Sequence, residues 1–93
     1  MEAFKFRLFI AGGTPNSAQA LGNLVALCDS RLPGRHDIEV VDVFREPMRA
    51  LSEKIFMTPT LLKLSPGPEL RIVGTLADSS RLLQALGLEA SPA

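Results

Sequence analysis

Proline and glycine divide this 93-residue chain into short segments, and that division limits which folds it can adopt. Pro15 and Pro47 are placed to open helices, since proline tolerates the first helical position, where its missing N–H is not needed. Pro33-Gly34 ends a helix, and the cluster at residues 65–68 cannot lie inside a strand or a helix. The chain is therefore predicted to form one small domain over residues 1–93.

The first half of the chain alternates between strand-like and helix-like spacing of apolar residues. Over residues 4–10 apolar side chains recur at every second position, which predicts a strand. Over residues 21–32 they recur every three or four positions, which predicts one apolar face of a helix made of Leu21, Leu24, Val25, Cys28 and Leu32. Residues 38–43 are rich in β-branched side chains on both faces, so we predict a strand inside the sheet. Together these segments predict a right-handed βαβ unit with parallel strands.

The second half predicts a short helix, a hairpin and a closing helix. Pro47 opens the short helix, and Met48, Leu51, Ser52 and Ile55 are spaced along one side of it. Residues 61–64 and 70–73 are predicted to pair antiparallel, because the turn between them is too short for a crossover. Asp78 is predicted to cap a helix over residues 79–88 whose inward side chains are Leu82, Leu83 and Leu86.

The resulting order, β-α-β-α-β-β-α, is that of the thioredoxin-like α/β architecture. In that architecture the proline directly before the third strand is usually cis, and the corresponding residue here is Pro59. A cis X–Pro bond is rare unless its surroundings enforce it. We therefore predict a thioredoxin-like fold with a cis bond at Pro59.

Composition and charge exclude several classes of partner. Ten basic residues balance ten acidic residues, so the chain lacks the basic excess of a protein that binds nucleic acid through its phosphates. No apolar run approaches the roughly 18 residues that a membrane span needs. One cysteine cannot form an intrachain disulfide or a CxxC redox pair, and we therefore expect a reducing, cytoplasmic location.

The position of the single cysteine argues against redox catalysis. Thioredoxin-like oxidoreductases place the nucleophilic cysteine where the first strand meets the first helix, because the helix N-terminus lowers its pKa. Here residues 12–17 read GGTPNS, without a thiol, and Cys28 lies on the predicted apolar face of the helix. His36 stands in a polar stretch without metal-ligand spacing around it. We expect no catalytic residue, no metal site and no cofactor.

Glutathione binding is the enzymatic alternative. Thr58-Pro59 and residues 78–80 superficially match the arrangement with which transferases of this fold hold the tripeptide, and Ser17 offers a hydroxyl. Asp78 is explained equally well as a helix cap. Such transferases also carry a large helical second domain, which 93 residues do not contain. The enzymatic alternative is therefore disfavoured.

Four segments carry a specific resemblance to a known family. Residues 8–17 (LFIAGGTPNS) are similar to the opening of KaiB, a family of small circadian-clock proteins of cyanobacteria. Residues 40–43 (VVDV), 54–61 (KIFMTPTL) and 71–74 (RIVG) agree with the same family in the same order. The resemblance extends from about Phe4 to Leu88, well beyond a shared thioredoxin architecture.

The resemblance implies a non-enzymatic function in a clock or timer. KaiB proteins dock on the ring of the KaiC ATPase, sequester KaiA, and compete with a sensor kinase whose N-terminal domain is similar to them. The implied contact with a KaiC-family ATPase is the second helix and its flank. The residues implied for that contact are Met48, Arg49, Leu51, Ser52, Lys54 and Phe56.

Two departures from the family concern the KaiA partner. Glu39 stands where clock KaiB proteins carry a lysine, and Gln19 stands where they carry an arginine. Both positions are on the side implied for contact with KaiA, so these departures argue against charge complementarity with KaiA there and make a KaiA partner doubtful. The alternative to a KaiC partner is a thioredoxin-like adaptor or kinase-sensor module that binds another protein.

The family also implies two folds for one chain. One is a homotetramer with the order β-α-β-β-α-α-β, and the other is the thioredoxin-like monomer that binds KaiC. Clock KaiB proteins carry a glycine at the position of Ala85, and alanine favours a helix over glycine by roughly 1 kcal/mol. We therefore predict a thioredoxin-like monomer, with the homotetramer as the alternative. The residues expected to govern this choice are Pro59, Gly74, Asp78, Ala85 and Gly87.

Overall fold

A four-stranded sheet carries helices on both of its faces in the computed structural model, which describes residues 3–88. The sheet order is β2-β1-β3-β4, with β1 parallel to β2 and the other two pairs antiparallel. This is the predicted thioredoxin-like order of elements. The elements are β1 (Phe4–Ile10), α1 (Pro15–Arg31), β2 (His36–Asp42), α2 (Pro47–Ser52), β3 (Thr60–Ser65), β4 (Leu70–Val73) and α3 (Ser79–Leu86).

The prediction that the second strand is internal is wrong, because β2 pairs with β1 alone and forms an edge of the sheet. Its apolar residues face both sides because helices cover both sides. Ile38 packs against the core beneath α1 and α3, whereas Val41 is buried beneath α2. Cover on two faces makes a strand apolar on two faces wherever it stands in the sheet. Apolar content therefore does not report hydrogen-bonded neighbours.

Helix α1 packs on the sheet with a face turned slightly away from the predicted one. Cys28 is buried as predicted, but Val25 is 39% exposed and Leu27 takes its place in the core. In the first turn of the helix the buried face is formed by Ser17, a small residue. Its hydroxyl accepts a hydrogen bond from the Ala11 N–H at 2.9 Å. Small side chains let the start of the helix approach the sheet closely. The buried residues of α1 are Ser17, Ala20, Leu24, Leu27 and Cys28.

Helix α3 begins and ends with the predicted caps. The Asp78 carboxylate accepts a hydrogen bond from the Arg81 N–H at 3.1 Å, and Gly87 adopts a left-handed conformation with φ +73°. The helix ends at Leu86, two residues earlier than predicted, because that conformation closes it. Leu82 and Leu86 are buried, and Leu83 packs partly against the same core.

The bond between Thr58 and Pro59 is cis, which confirms the prediction at this position. Gly74 directly follows β4 with φ +119°, a conformation that side chains disfavour, and it ends the strand as expected. Within residues 3–88 no helix is both long enough and apolar enough to cross a membrane. The expected frayed tail, residues 89–93, lies outside the described residues.

Candidate functional site

Exposed apolar side chains concentrate around helix α2. Eight large apolar residues are exposed within residues 3–88, and five of them lie between positions 44 and 57. Phe56 is the most exposed of these, at 83%. A concentration of this kind on a small protein is typical of a surface that binds another protein. The five residues, which we call the α2 surface, are Phe44, Met48, Leu51, Phe56 and Met57.

The α2 surface exists because α2 is short and buries little of itself. Ala50 is the one buried residue of its six, and the chain re-enters the core only at Ile55, after the helix has ended. The predicted common side of Met48, Leu51 and Ile55 is therefore wrong. The small Ala50 faces the sheet, which turns Met48 and Leu51 outward.

Three residues of the α2 surface border a recess of about 180 Å³. Phe44 approaches it from the loop after β2, and Phe56 and Met57 approach it from the loop before β3. Small-molecule sites in proteins usually measure roughly 300–1,000 Å³. The recess is therefore too small for a cofactor and suits a single side chain. The other residues that line it are Ala11, Val43, Ile55 and Thr58.

At the corner where β1 meets α1, the polar side chains of Asp42 and Ser17 bond to backbone N–H groups. The Asp42 Oδ1 atom accepts hydrogen bonds from the N–H groups of Gly12, at 3.3 Å, and Phe44, at 2.9 Å. Ser17 is buried and already bonded to Ala11. These hydrogen bonds shape the backbone beside the recess.

The Cys28 thiol is buried in the core beneath α1. Burial, and secondarily the charge of Asp29, raises the pKa of this thiol to about 11. The thiol is therefore protonated at neutral pH and is not a nucleophile. Within residues 3–88 no three potential metal-ligating side chains come together.

An ion-pair network joins α2 to the sheet. Glu39 on β2 accepts hydrogen bonds from Arg49 of α2, at 2.8 Å, and from Arg7 of β1, at 2.7 Å. The bond from Arg49, followed by that from Arg7, lowers the pKa of Glu39 to about 2. Arg7 also lies 3.8 Å from Glu53, and Arg49 lies 3.4 Å from Glu46. This network links the Arg49 side of α2 to strands β1 and β2.

Strand β4 supports the carboxyl end of α2. The Arg71 guanidinium donates to the carbonyl oxygens of Glu53, at 2.7 Å, and Lys54, at 2.8 Å. Carbonyls at the end of a helix lack partners within the helix, so these bonds satisfy groups that would otherwise need water. Lys54 has φ +57°, which turns the chain from the helix toward Ile55.

The structure brings most of the predicted partner-binding residues to one surface. Met48, Leu51, Ser52, Lys54 and Phe56 are exposed. Arg49 differs, since Glu39 and Glu46 already occupy its guanidinium.

Phe44 and Met57 were missed by the sequence reasoning. The sequence feature that both share is an apolar residue in a loop next to the short helix, and this feature could have identified them. Glu39 and Gln19, expected on one side, lie in different layers, Glu39 beside α2 and Gln19 on the exposed face of α1.

The residues expected to govern the choice of fold lie mostly in the opposite half of the molecule. A groove of about 530 Å³ runs between β4 and α3, and Asp78 and Ala85 line it. Thr58 lines the recess beside α2 instead. The two halves of the arrangement considered for glutathione therefore border different cavities, and the Asp78 carboxylate is engaged as a helix cap.

Comparisons with known proteins agree on a family. The model of the KaiB domain matches residues 7–88. Circadian clock protein KaiB3 of Synechocystis sp. is 38% identical over 92 residues, which cover 99% of this chain and 88% of that protein. Circadian clock oscillator protein KaiB of Prochlorococcus marinus subsp. pastoris is 38% identical over 87 residues, covering 94% and 81%.

Solved structures agree on the fold. The N-terminal domain of Synechococcus elongatus SasA superposes with a TM-score of 0.75 at 20% identity, covering 100% of this chain and 91% of that chain. Chloroplastic thioredoxin z superposes with a TM-score of 0.76, also at 20% identity, covering 97% and 81%. Both likenesses concern the thioredoxin-like architecture alone.

Proposed function

This chain belongs to the KaiB family of circadian clock proteins, and we propose that it binds a KaiC-family ATPase ring through the α2 surface, without catalysing a reaction. The observation that carries this proposal is the concentration of five large exposed apolar residues between positions 44 and 57. An apolar surface of this kind gains free energy when a partner covers it. The same segment is the one that the family resemblance implies for the KaiC contact.

Three features support binding rather than catalysis. The Cys28 thiol is buried with a raised pKa, and the polar groups of the corner at Gly12 are bonded within the chain. The recess beside α2 is smaller than a cofactor site. The proposal places the protein in the cytoplasm, where a lone buried thiol is not exposed to disulfide formation.

The proposal includes no KaiA-like partner at Glu39. The carboxylate of Glu39 is bonded to two arginines of its own chain. A partner that required a lysine at this position would meet a carboxylate already committed elsewhere. The protein would then act in a timer that uses a KaiC-family ATPase without KaiA. Affinity measurements with a KaiC-family ATPase and with KaiA test this, and we expect binding to the first alone.

Lys54→Glu is expected to weaken capture by a KaiC-family hexamer with ATP by about tenfold, equivalent to about 1.4 kcal/mol. Lys54 is exposed and its ammonium has no partner within residues 3–88, so stability should change by less than about 0.5 kcal/mol. Arg81→Glu is the matched control, because it makes the same charge reversal on an exposed residue of α3. Co-sedimentation with the hexamer measures the captured fraction of the parent, Lys54→Glu and Arg81→Glu. Equal capture of both variants and the parent would exclude this surface.

Ala85→Gly is expected to destabilise α3 by roughly 1 kcal/mol, since Ala85 is exposed and contributes mainly helix propensity. Two folds of one sequence differ by only a few kcal/mol, so this change should raise the population of the second fold. Light scattering reports mass, and secondary chemical shifts over residues 79–86 report helix or strand. We expect the parent to be a monomer with helical shifts over these residues. A stable parent tetramer with strand-like shifts would contradict the prediction of a thioredoxin-like monomer.

A further inference from the structure

We propose that the segment of the partner that docks on the α2 surface is acidic and inserts one large apolar side chain into the recess bordered by Phe44, Phe56 and Met57. This inference rests on the proposed function only for the identity of the docking surface. It specifies the chemistry of what docks there. The charges around the surface and the dimensions of the recess carry it.

The three carboxylates beside the α2 surface are paired with two arginines of the chain. Glu39 accepts hydrogen bonds from both Arg7 and Arg49. Glu46 lies 3.4 Å from the Arg49 guanidinium. Glu53 lies 3.8 Å from the guanidinium of Arg7. Each carboxylate is thus within ion-pair distance of an arginine, and the two guanidinium groups offset two of the three negative charges.

The cations that remain available on this surface are Arg45 and Lys54. Both are exposed, and neither side chain has a hydrogen-bond or ion-pair partner within residues 3–88. Arg45 directly follows Phe44, and Lys54 stands two residues before Phe56. Both loops that border the recess therefore contain a basic residue. Each of these two loops carries one cation that is unpaired within the described residues.

One acidic residue near the recess is turned away from it. The Asp42 Oδ1 atom accepts from the N–H groups of Gly12 and Phe44, and this directs the carboxylate into the corner of the fold. A partner carboxylate approaching Arg45 would not face an outward-pointing anion from Asp42. Charge complementarity of this type favours the correct partner and speeds encounter more than it deepens affinity.

The recess itself selects an apolar anchor. Its volume of about 180 Å³ accommodates one large side chain, and most of its lining is aliphatic, aromatic or thioether. A polar side chain buried there without a hydrogen-bond partner would lose its hydration, which is unfavourable. Buried aromatic and aliphatic anchors in pockets dominate the binding energy of protein interfaces. An anchor flanked by acidic residues therefore matches both the recess and its rim.

The test is an NMR titration of the full chain with three synthetic nine-residue peptides. The first carries a central Phe flanked on each side by two Glu, the second replaces the four Glu by Lys, and the third replaces the central Phe by Ser. We expect the first peptide to shift the amides of residues 43–45 and 54–58, with an affinity at least tenfold above that of each other peptide. Raising the salt concentration should reduce the difference between the first two.

Two variants and a control test whether Arg45 and Lys54 cause the preference for the acidic peptide. Arg45→Gln and Lys54→Gln should each weaken binding of the acidic peptide about threefold, whereas Arg81→Gln on α3 should leave it unchanged. Equal binding of the acidic and basic peptides, stronger binding of the basic one, shifts confined to other residues, or no shifts at all would overturn the inference. Capture of the parent by a KaiC-family ring is measured separately. Ring capture without selectivity for the acidic peptide refutes the inference alone, and selectivity without ring capture refutes the proposed function alone.

Discussion

Replacing Phe56 by alanine is expected to weaken binding to a KaiC-family ATPase ring by about 30-fold while leaving the fold intact. The side chain is 83% exposed, so its truncation removes little buried area from the free protein. Aromatic anchors at the centre of protein interfaces typically contribute about 2 kcal/mol or more when truncated, and that free energy corresponds to the 30-fold change. Titration calorimetry with the ring and ATP measures the loss.

Val25→Ala is the matched control for this experiment. Val25 is also an exposed apolar residue, at 39%, but it lies on α1 in the other layer. Its truncation should change the affinity by no more than about twofold, which corresponds to about 0.5 kcal/mol. An unchanged affinity in Phe56→Ala, or a similar loss in both variants, would show that the ring does not use the α2 surface.

Gly12→Ala is expected to lower the free energy of unfolding by about 2 kcal/mol. A Cβ on Gly12 would collide with the Asp42 carboxylate, which would have to move. That carboxylate accepts hydrogen bonds from the N–H groups of Gly12 and Phe44, and hydrogen bonds to charged groups contribute about 1.5–3 kcal/mol. Since Phe44 belongs to the α2 surface, binding to the ring should weaken as well.

Gly22→Ala provides the opposite control. Gly22 lies inside α1 with open space where a Cβ would be, so alanine should raise stability by roughly 0.5–1 kcal/mol. In a domain of this size 1 kcal/mol shifts the melting temperature by roughly 4–8 °C, so the two variants should move it in opposite directions. Thermal unfolding followed by circular dichroism distinguishes them. A melting temperature of Gly12→Ala equal to that of the parent would show that Asp42 adapts without loss.

The order of the elements was predictable because its signals are local. Pro15 and Pro47 stand where helices begin, and Asp78 and Gly87 stand at the two ends of α3. Each of these residues acts on the backbone within a few positions of itself. The approximate bounds of strands and helices can therefore be read from short stretches of sequence.

The relations between distant segments were not predictable in the same way. The edge position of β2 depends on which strands pair. The apolar residues of β2 reflect only the helices that cover the two faces of the sheet. The Arg7–Glu39 contact joins residues 32 positions apart, so no spacing rule points to it. The outward turn of Met48 and Leu51 follows from the burial of the small Ala50. Tertiary packing decides such cases.

The bonds from Arg71 to the carbonyls of Glu53 and Lys54 join the segment that follows α2 to the last hairpin. A partner that binds the α2 surface in this arrangement, as proposed, would by linkage also stabilise these bonds and the pairing of β4 with β3. At a partner concentration one hundred times Kd the added stability is about 2.7 kcal/mol. That free energy is comparable to the difference between two folds of one chain. Under the proposed function, we therefore expect occupancy of the α2 surface to favour the thioredoxin-like fold over the second fold that the family resemblance implies.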